Sequence, residues 1–170
     1  QEESTFLQRV FKAATDRRKT NSLIVVDGMN DVLVRYAKCC TPIPGDPIVG
    51  FITRGRGITV HQADCPRAFE MDQLRRIEVM WNDKKNASSQ DRAVRVRVVS
   101  LDSPGLLRSM TEAFSAHGMN IQNAQVRTTK DRKAVCVFDV SVQDTDQLFK
   151  VFQDLQKIKG ILGVTRITHS

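Results

Sequence analysis

The sequence predicts an α+β protein in two parts: a small β-rich unit carrying cysteines, then a ferredoxin-like βαββαβ unit. Three observations predict it. Three of the four cysteines and four of the five prolines fall between Arg35 and Phe69. A polar run, "NDKKNASSQDR", separates that region from the rest, and such a composition cannot bury itself. Beyond it the spacing of apolar residues alternates between the strand period of two and the helix period near 3.6. The resulting boundaries are 1–22 for the end of a preceding helical segment, 23–81 for the cysteine unit, 82–92 for a linker and 93–170 for the βαββαβ unit.

Phe6, Leu7, Val10, Phe11 and Ala14 repeat at helical spacing, so an amphipathic helix is expected to end the first segment. Leu23–Val26 and Val32–Arg35 are short apolar runs flanking "DGMND", a turn composition, which predicts a hairpin. "PIPGD" is turn chemistry, because proline fixes φ and Gly45 supplies freedom beside it. "IVGFIT" and "GITVH" predict a second hairpin around "RGRG". "ADCPRAFEM" predicts a short helix, and Ile77–Trp81 one more strand.

In the second part, Val94, Val96 and Val98 alternate with Arg95 and Arg97, a half-buried strand. Ser103 is expected to cap a helix opened by Pro104, with Leu106, Leu107, Met110 and Phe114 as its buried stripe and Gly118 as its stop. Ile121–Thr129 and Ala134–Val142 predict two strands around "KDRK", the second turning Ala134, Cys136, Phe138, Val140 and Val142 to one side. Asp144 is expected to cap a helix carrying Leu148, Val151, Phe152, Leu155 and Ile158, stopped at Gly160. Leu162–Ile167 closes the βαββαβ order.

Composition narrows the function classes. The chain is 41% hydrophobic and 26% charged, an ordinary globular balance, and no apolar run approaches the ~20 residues of a membrane-spanning helix. A cytoplasmic location is expected, and Gln1 as first residue reads as a piece of something longer. The net charge of +7 is spread over both parts rather than gathered in a tail. Four cysteines without a secretory signal point to reduced thiols or a metal rather than to a disulfide framework. Sequence motifs for phosphate loops, zinc proteases and His-Asp phosphohydrolases are missing, so no catalytic residue is assigned.

Three constellations bear on chemistry. Cys39, Cys40, His61 and Cys65 form C-C-x20-H-x3-C, three thiols and an imidazole, a donor set that structural zinc sites use. Adjacent cysteines on a strand point to opposite faces, so both reach one ion only if the chain bends at Thr41. The competing reading has Cys39 or Cys40 as a small buried hydrophobe and His61 as a hydrogen-bonded strand residue. Arg54 and Arg56, with Lys38 not far off, place cations at a tight glycine-rich turn, which suits a phosphate backbone; a solvated hairpin tip is the alternative. "LDSPGLL" joins a strand to a helix whose first turn could receive a small carboxylate, with Asp102 toward an amine and Asn120 adding a hydrogen bond; a capped helix alone accounts for the same residues. The same βαββαβ order builds RNA-recognition domains. The outward positions Arg95, Arg97, Gln125, Arg127, Val135, Val137 and Asp139 lack the aromatics on which those domains stack bases.

"CCTPIPGDPIVGFITRGRGITVHQADC" resembles the conserved-cysteine, zinc-finger-like domain of the RelA/SpoT family. "LDSPGLL" and "GMNIQNAQV" resemble the ACT domain that ends the same proteins. The resemblance covers about Leu33–Ile167, with the two domains in the family's order. It implies a non-catalytic C-terminal regulatory region of a bifunctional guanosine tetra- and pentaphosphate synthetase-hydrolase, a GTP pyrophosphokinase and 3'-pyrophosphohydrolase whose catalytic domains lie earlier in the chain. Implied partners are the ribosome, the A-site transfer RNA and those catalytic domains, with Lys38, Arg54 and Arg56 on the RNA side. Cys39, Cys40, His61 and Cys65 would be the structural zinc set. In the ACT part, Asp102, Gly105 and Asn120 match amino-acid-binding positions of other ACT proteins, with Leu106 and Ile121 beside them. That implies the alternative function, an allosteric sensor of a branched-chain amino acid, and a homodimer formed through ACT.

Overall fold

The computed structural model describes residues 24–26, 32–55, 57–82 and 91–168. The expected N-terminal helix and the "DGMND" turn lie outside them, as do Arg56, most of the linker and His169.

The first unit holds β1 (Ile24–Val26), β2 (Val34–Tyr36), β3 (Ile48–Thr53), β4 (Gly57–Gln62), α1 (Pro66–Glu70), a 3-10 turn (Gln73–Arg75), β5 (Arg76–Ile77) and β6 (Val79–Trp81). β3 and β4 form the expected hairpin, with Thr53 opposite Gly57. The two N-terminal runs do not pair with each other. β1 instead lies antiparallel to β6, with Ile24 opposite Trp81, and β2 runs parallel to β4 in a sheet of order β2-β4-β3-β5. An isolated two-stranded ribbon covers little apolar surface. Separated, Ile24 is buried with Ile58, Val60 and Val79, and Val34 and Tyr36 pack against the same group. The strand expected over Ile77–Trp81 is likewise two short ones, its first residue on β3 and its last three on β1.

The β2-β4-β3-β5 sheet has both faces covered. Ile58 and Val60 face the β1–β6 side, whereas Val49 and Phe51 pack with Cys40, Cys65 and Ala68 of α1 on the other. Two-sided burial explains why "VGF" at 49–51 is buried without alternation.

The second unit holds β7 (Arg92–Leu101), α2 (Leu106–Ala116), β8 (Ile121–Thr128), β9 (Lys133–Val142), α3 (Thr145–Lys157) and β10 (Ile161–Ile167). Its sheet is antiparallel in the order β10-β7-β9-β8. Val94, Val96 and Val98 and the alternate β9 residues Ala134–Val142 are buried with Met110, Phe114, Leu148, Val151 and Leu155 of the two helices. Phe114 and Phe138 meet at 5.0 Å between ring centroids. Burial of each such large side chain stabilises by about 1.5–3 kcal/mol. Leu107, expected in the α2 stripe, is exposed.

Asp144 caps α3 as its position predicts, accepting from the Gln147 N–H at 2.8 Å. Ser103 does not cap α2. The Ser103 N–H bonds Leu101 O and the Asp102 N–H bonds Arg132 O, so these residues form the exit turn from β7. Gly105, at φ 83°, makes the reversal and is itself the N-cap. A side chain is strained in that left-handed conformation, and glycine is not.

The loop between Cys40 and β3 joins the units. Ile43 is fully buried in the core of the second unit. The Pro44 carbonyl accepts the Thr145 N–H at 2.9 Å, satisfying one of the unpaired amides at the start of α3. Gly45, at φ 98°, lies so close that a Cβ there would overlap Thr145 Oγ1. Asp46 takes both Nη atoms of Arg166, at 2.9 and 3.0 Å. Arg92 stacks on the Tyr36 ring, 3.5 Å from its centroid.

Candidate metal centre and basic hairpin

Cys39, Cys40, His61 and Cys65 converge. Their ligand atoms lie within 4.8 Å of one another, although they come from three elements. Cys39 and Cys40 stand on a turn over Lys38–Cys40, not on a strand. The Thr41 N–H bonds Ala37 O at 3.0 Å, and Thr41 itself has φ 42°. That bend at Thr41 lets neighbouring thiols face one point. His61 is on β4, opposite Val49, and stands edge-on to Phe51 at 5.9 Å. Cys65 precedes α1, with Pro66 in the first helical position.

The separations fit one ion. Cys39 Sγ is 3.9 Å from Cys40 Sγ, 3.6 Å from Cys65 Sγ and 3.4 Å from His61 Nδ1; Cys40 Sγ is 3.8 Å from His61 Nδ1. Donors around tetrahedral zinc, with Zn–S about 2.3 Å and Zn–N about 2.0 Å, stand roughly 3.5–3.8 Å apart. The Gln62 N–H points at Cys40 Sγ from 3.2 Å, an outer contact of the kind that orients a thiolate. Burial pushes the Cys40 thiol up to about 12 and also raises Cys39, while it lowers His61. The imidazole is thereby kept neutral, the form that ligates, and a metal entering must displace the thiol protons. The four residues are thus close enough, and of the right chemistry, to hold a metal ion.

Lys38 and Arg54 are exposed, Arg54 at the tip of the β3–β4 hairpin. Asp102, Gly105 and Asn120 are exposed, Ile121 is half-buried and Leu106 is buried. None of those five lines either of two prominent cavities. One, of about 280 Å³, lies between the units beside Lys38, Cys39, Arg95 and Asp139. The other, of about 700 Å³, lies over the open sheet face at Arg97, Gln125 and Val137.

Sequence reasoning missed Asp46, Gln62 and Arg166. Asp46 and Arg166 are 120 positions apart and leave no local pattern. Gln62 follows a ligand, and its role belongs to its backbone N–H.

A sheet pair with a thiol-imidazole cluster, followed by a βαββαβ sheet, defines a two-domain region of recognisable class. Residues 24–82 match the RelA/SpoT RIS domain and residues 88–166 the ACT domain. The chain belongs to the RelA/SpoT family. It is 43% identical over 150 residues to a GTP pyrophosphokinase of Myxococcus xanthus, covering 88% of this chain and 19% of that protein. It is 36% identical over 173 residues to the bifunctional (p)ppGpp synthase/hydrolase RelA of Mycobacterium tuberculosis, covering 99% and 23%. The chain therefore spans about a fifth of these curated relatives. Among solved structures, the ACT domain from GTP pyrophosphokinase of Chlorobium tepidum is 27% identical, covering 45% of this chain and 99% of that one at a TM-score of 0.41. Among the described residues no helix is long and apolar enough to cross a membrane.

Proposed function

We propose that this chain is the regulatory region of a (p)ppGpp synthetase-hydrolase. It would contact ribosome-bound transfer RNA through its RIS domain and pass that state to catalytic domains of the same polypeptide. The observation that carries this reading is the order of RIS then ACT in a chain spanning about a fifth of relatives named GTP pyrophosphokinase. Such a region acts by coupling: a partner that prefers one arrangement shifts the balance between synthesis and hydrolysis.

In this reading Cys39, Cys40, His61 and Cys65 hold structural zinc, with all four positions filled by protein, so the ion is a cross-link and not a reaction centre. Exposed Lys38 and Arg54, with Arg56 beside it in sequence, meet phosphates. Binding of the purified chain to ribosomes carrying uncharged transfer RNA tests this. The triple variant Lys38→Ala/Arg54→Ala/Arg56→Ala should bind at least about tenfold more weakly and show a salt dependence reduced by roughly one per lost phosphate contact. Unchanged binding and salt slope, with saturable heat from valine, leucine or isoleucine instead, would replace this reading with the amino-acid sensor.

A further inference from the structure

The metal cluster and the ACT domain share a loop, and this carries an inference beyond a structural clasp. We infer that occupancy of the Cys39/Cys40/His61/Cys65 centre and docking of the ACT domain are thermodynamically linked, so that the metal acts as an effector of the ACT contact. This rests on the metal reading above and adds a role for residues 41–46, Gln62 and Arg166.

The linkage has a continuous physical route. Cys40 is a ligand and Thr41, next to it, sits in the left-handed region. The Thr41 carbonyl accepts Arg166 Nη2 at 2.8 Å, and Arg166 belongs to β10 of the ACT sheet. From the other direction, the Gln62 N–H meets Cys40 Sγ at 3.2 Å while its side-chain Nε2 donates to Asp46 Oδ2 at 3.0 Å. Asp46 is the carboxylate that Arg166 grips. The same Asp46 Oδ2 accepts the Ile43 N–H, and the Asp46 carbonyl accepts the Trp81 indole N–H.

Both members of the Arg166–Asp46 pair are about nine-tenths buried, with side chains 12% and 10% exposed. Buried charges of this kind are tolerated only in the geometry that pairs them. Thr41, Ile43 and Asp46 are therefore held together or released together. A metal draws Cys39 and Cys40 to fixed positions; without one, the thiols have no common centre, and the loop that begins at Thr41 loses one of its anchors.

Linkage is reciprocal. A metal that favours the docked ACT domain must itself be bound more tightly when ACT is docked, by the same factor. The competing outcome is a loop rigid on its own account, since Pro42, Pro44 and Pro47 stiffen it. In that case metal and docking are independent.

The Thr145 amide reports docking directly, because its partner, Pro44 O, lies on the loop. The test uses the purified chain with one equivalent of zinc and after chelation. Zinc stoichiometry, zinc affinity by competition with a chromophoric chelator, and amide exchange are measured together. Removing zinc should speed exchange at Thr145 by about fivefold or more while Val96 and Val140 in the ACT sheet stay protected. Arg166→Gln should weaken zinc binding by a similar factor, typical of allosteric couplings. One equivalent of zinc bound, with Thr145 exchange indifferent to it, would overturn the linkage and leave the metal site standing. No zinc bound would instead overturn the metal reading. Should Arg166→Gln fail to fold, the Thr145 comparison in the native chain decides alone.

Discussion

The RIS and ACT domains solve the problem of stability differently. Among the described residues the ACT core is one continuous cluster of large aliphatic and aromatic side chains. The RIS domain splits its buried apolar residues into two groups on opposite faces of one sheet: Ile24, Ile58, Val60 and Val79 on one, with half-buried side chains such as Tyr36 and Trp81 packed around them, and Cys40 and Cys65 among the members of the other. A unit this small seldom gains enough from burial alone, and a metal held at the cysteine face would supply a cross-link. The difference extends to the boundary. The larger core has taken in Ile43 from the smaller domain, so the RIS domain lends a side chain where it has little interior of its own.

The largest expected effect separates the two modes. Structural zinc contributes on the order of 10 kcal/mol to small metal-folded units. Chelation should therefore make exchange of the Val49, Phe51 and Val60 amides approach that of unfolded chain, while Val96, Phe138 and Val140 remain protected. Uniform loss across both sheets would show that the halves unfold as one and would break the contrast. Next in size, Phe138→Ala should lower ACT stability by about 3–5 kcal/mol, read from urea unfolding, since Phe138 is fully buried against Phe114. That loss should be the same with and without zinc. If it vanishes on chelation, the ACT core leans on the metal and is not self-sufficient.

The fold of the ACT domain was readable because period-two and period-3.6 patterns are local. Val94–Val98 and Ala134–Val142 alternate, Leu148–Leu155 repeats every turn, and Asp144 carries its own cap signal. Where sequence reasoning failed, a distant partner or a special backbone had decided. β1 and β2 look like a hairpin because they are neighbours, yet β1 pairs with β6 and Ile24 is buried in one cluster with Val79, and only three-dimensional packing reveals that. Ser103 is a good cap residue in the wrong place, two positions before a left-handed glycine that starts the helix. At the candidate centre the four residue types and their spacing were visible, and the bend at Thr41 was the condition for their meeting. The Arg166–Asp46 pair was invisible, because nothing in a sequence joins residues 120 apart.

The smallest effect compares two ion pairs of like composition. Arg166–Asp46 is buried between the domains, whereas Arg95–Asp139 joins neighbouring strands on the open ACT face, with Arg95 Nε 2.7 Å from Asp139 Oδ1 and about half of the Arg95 side chain exposed. The hydrogen bond from Arg95 is the main reason the Asp139 carboxyl is held below its ordinary value, against a smaller opposing effect of burial. A carboxylate depressed in the folded state stabilises it above the unfolded value of about 4, and that contribution disappears as pH falls through the folded value. The native chain should therefore be more stable than Asp139→Asn at pH 7, by less than about 1 kcal/mol because the pair is largely solvated. The gap in urea midpoint should shrink as pH falls below the unfolded value of about 4 and narrow at pH 7 in 1 M salt, where the screening length is only about 3 Å. A gap that persists at low pH would mean Asp139 acts through its shape and its bond to Asn123 instead of its charge. The open face would then be held by neutral contacts, and burial alone would no longer distinguish the two pairs.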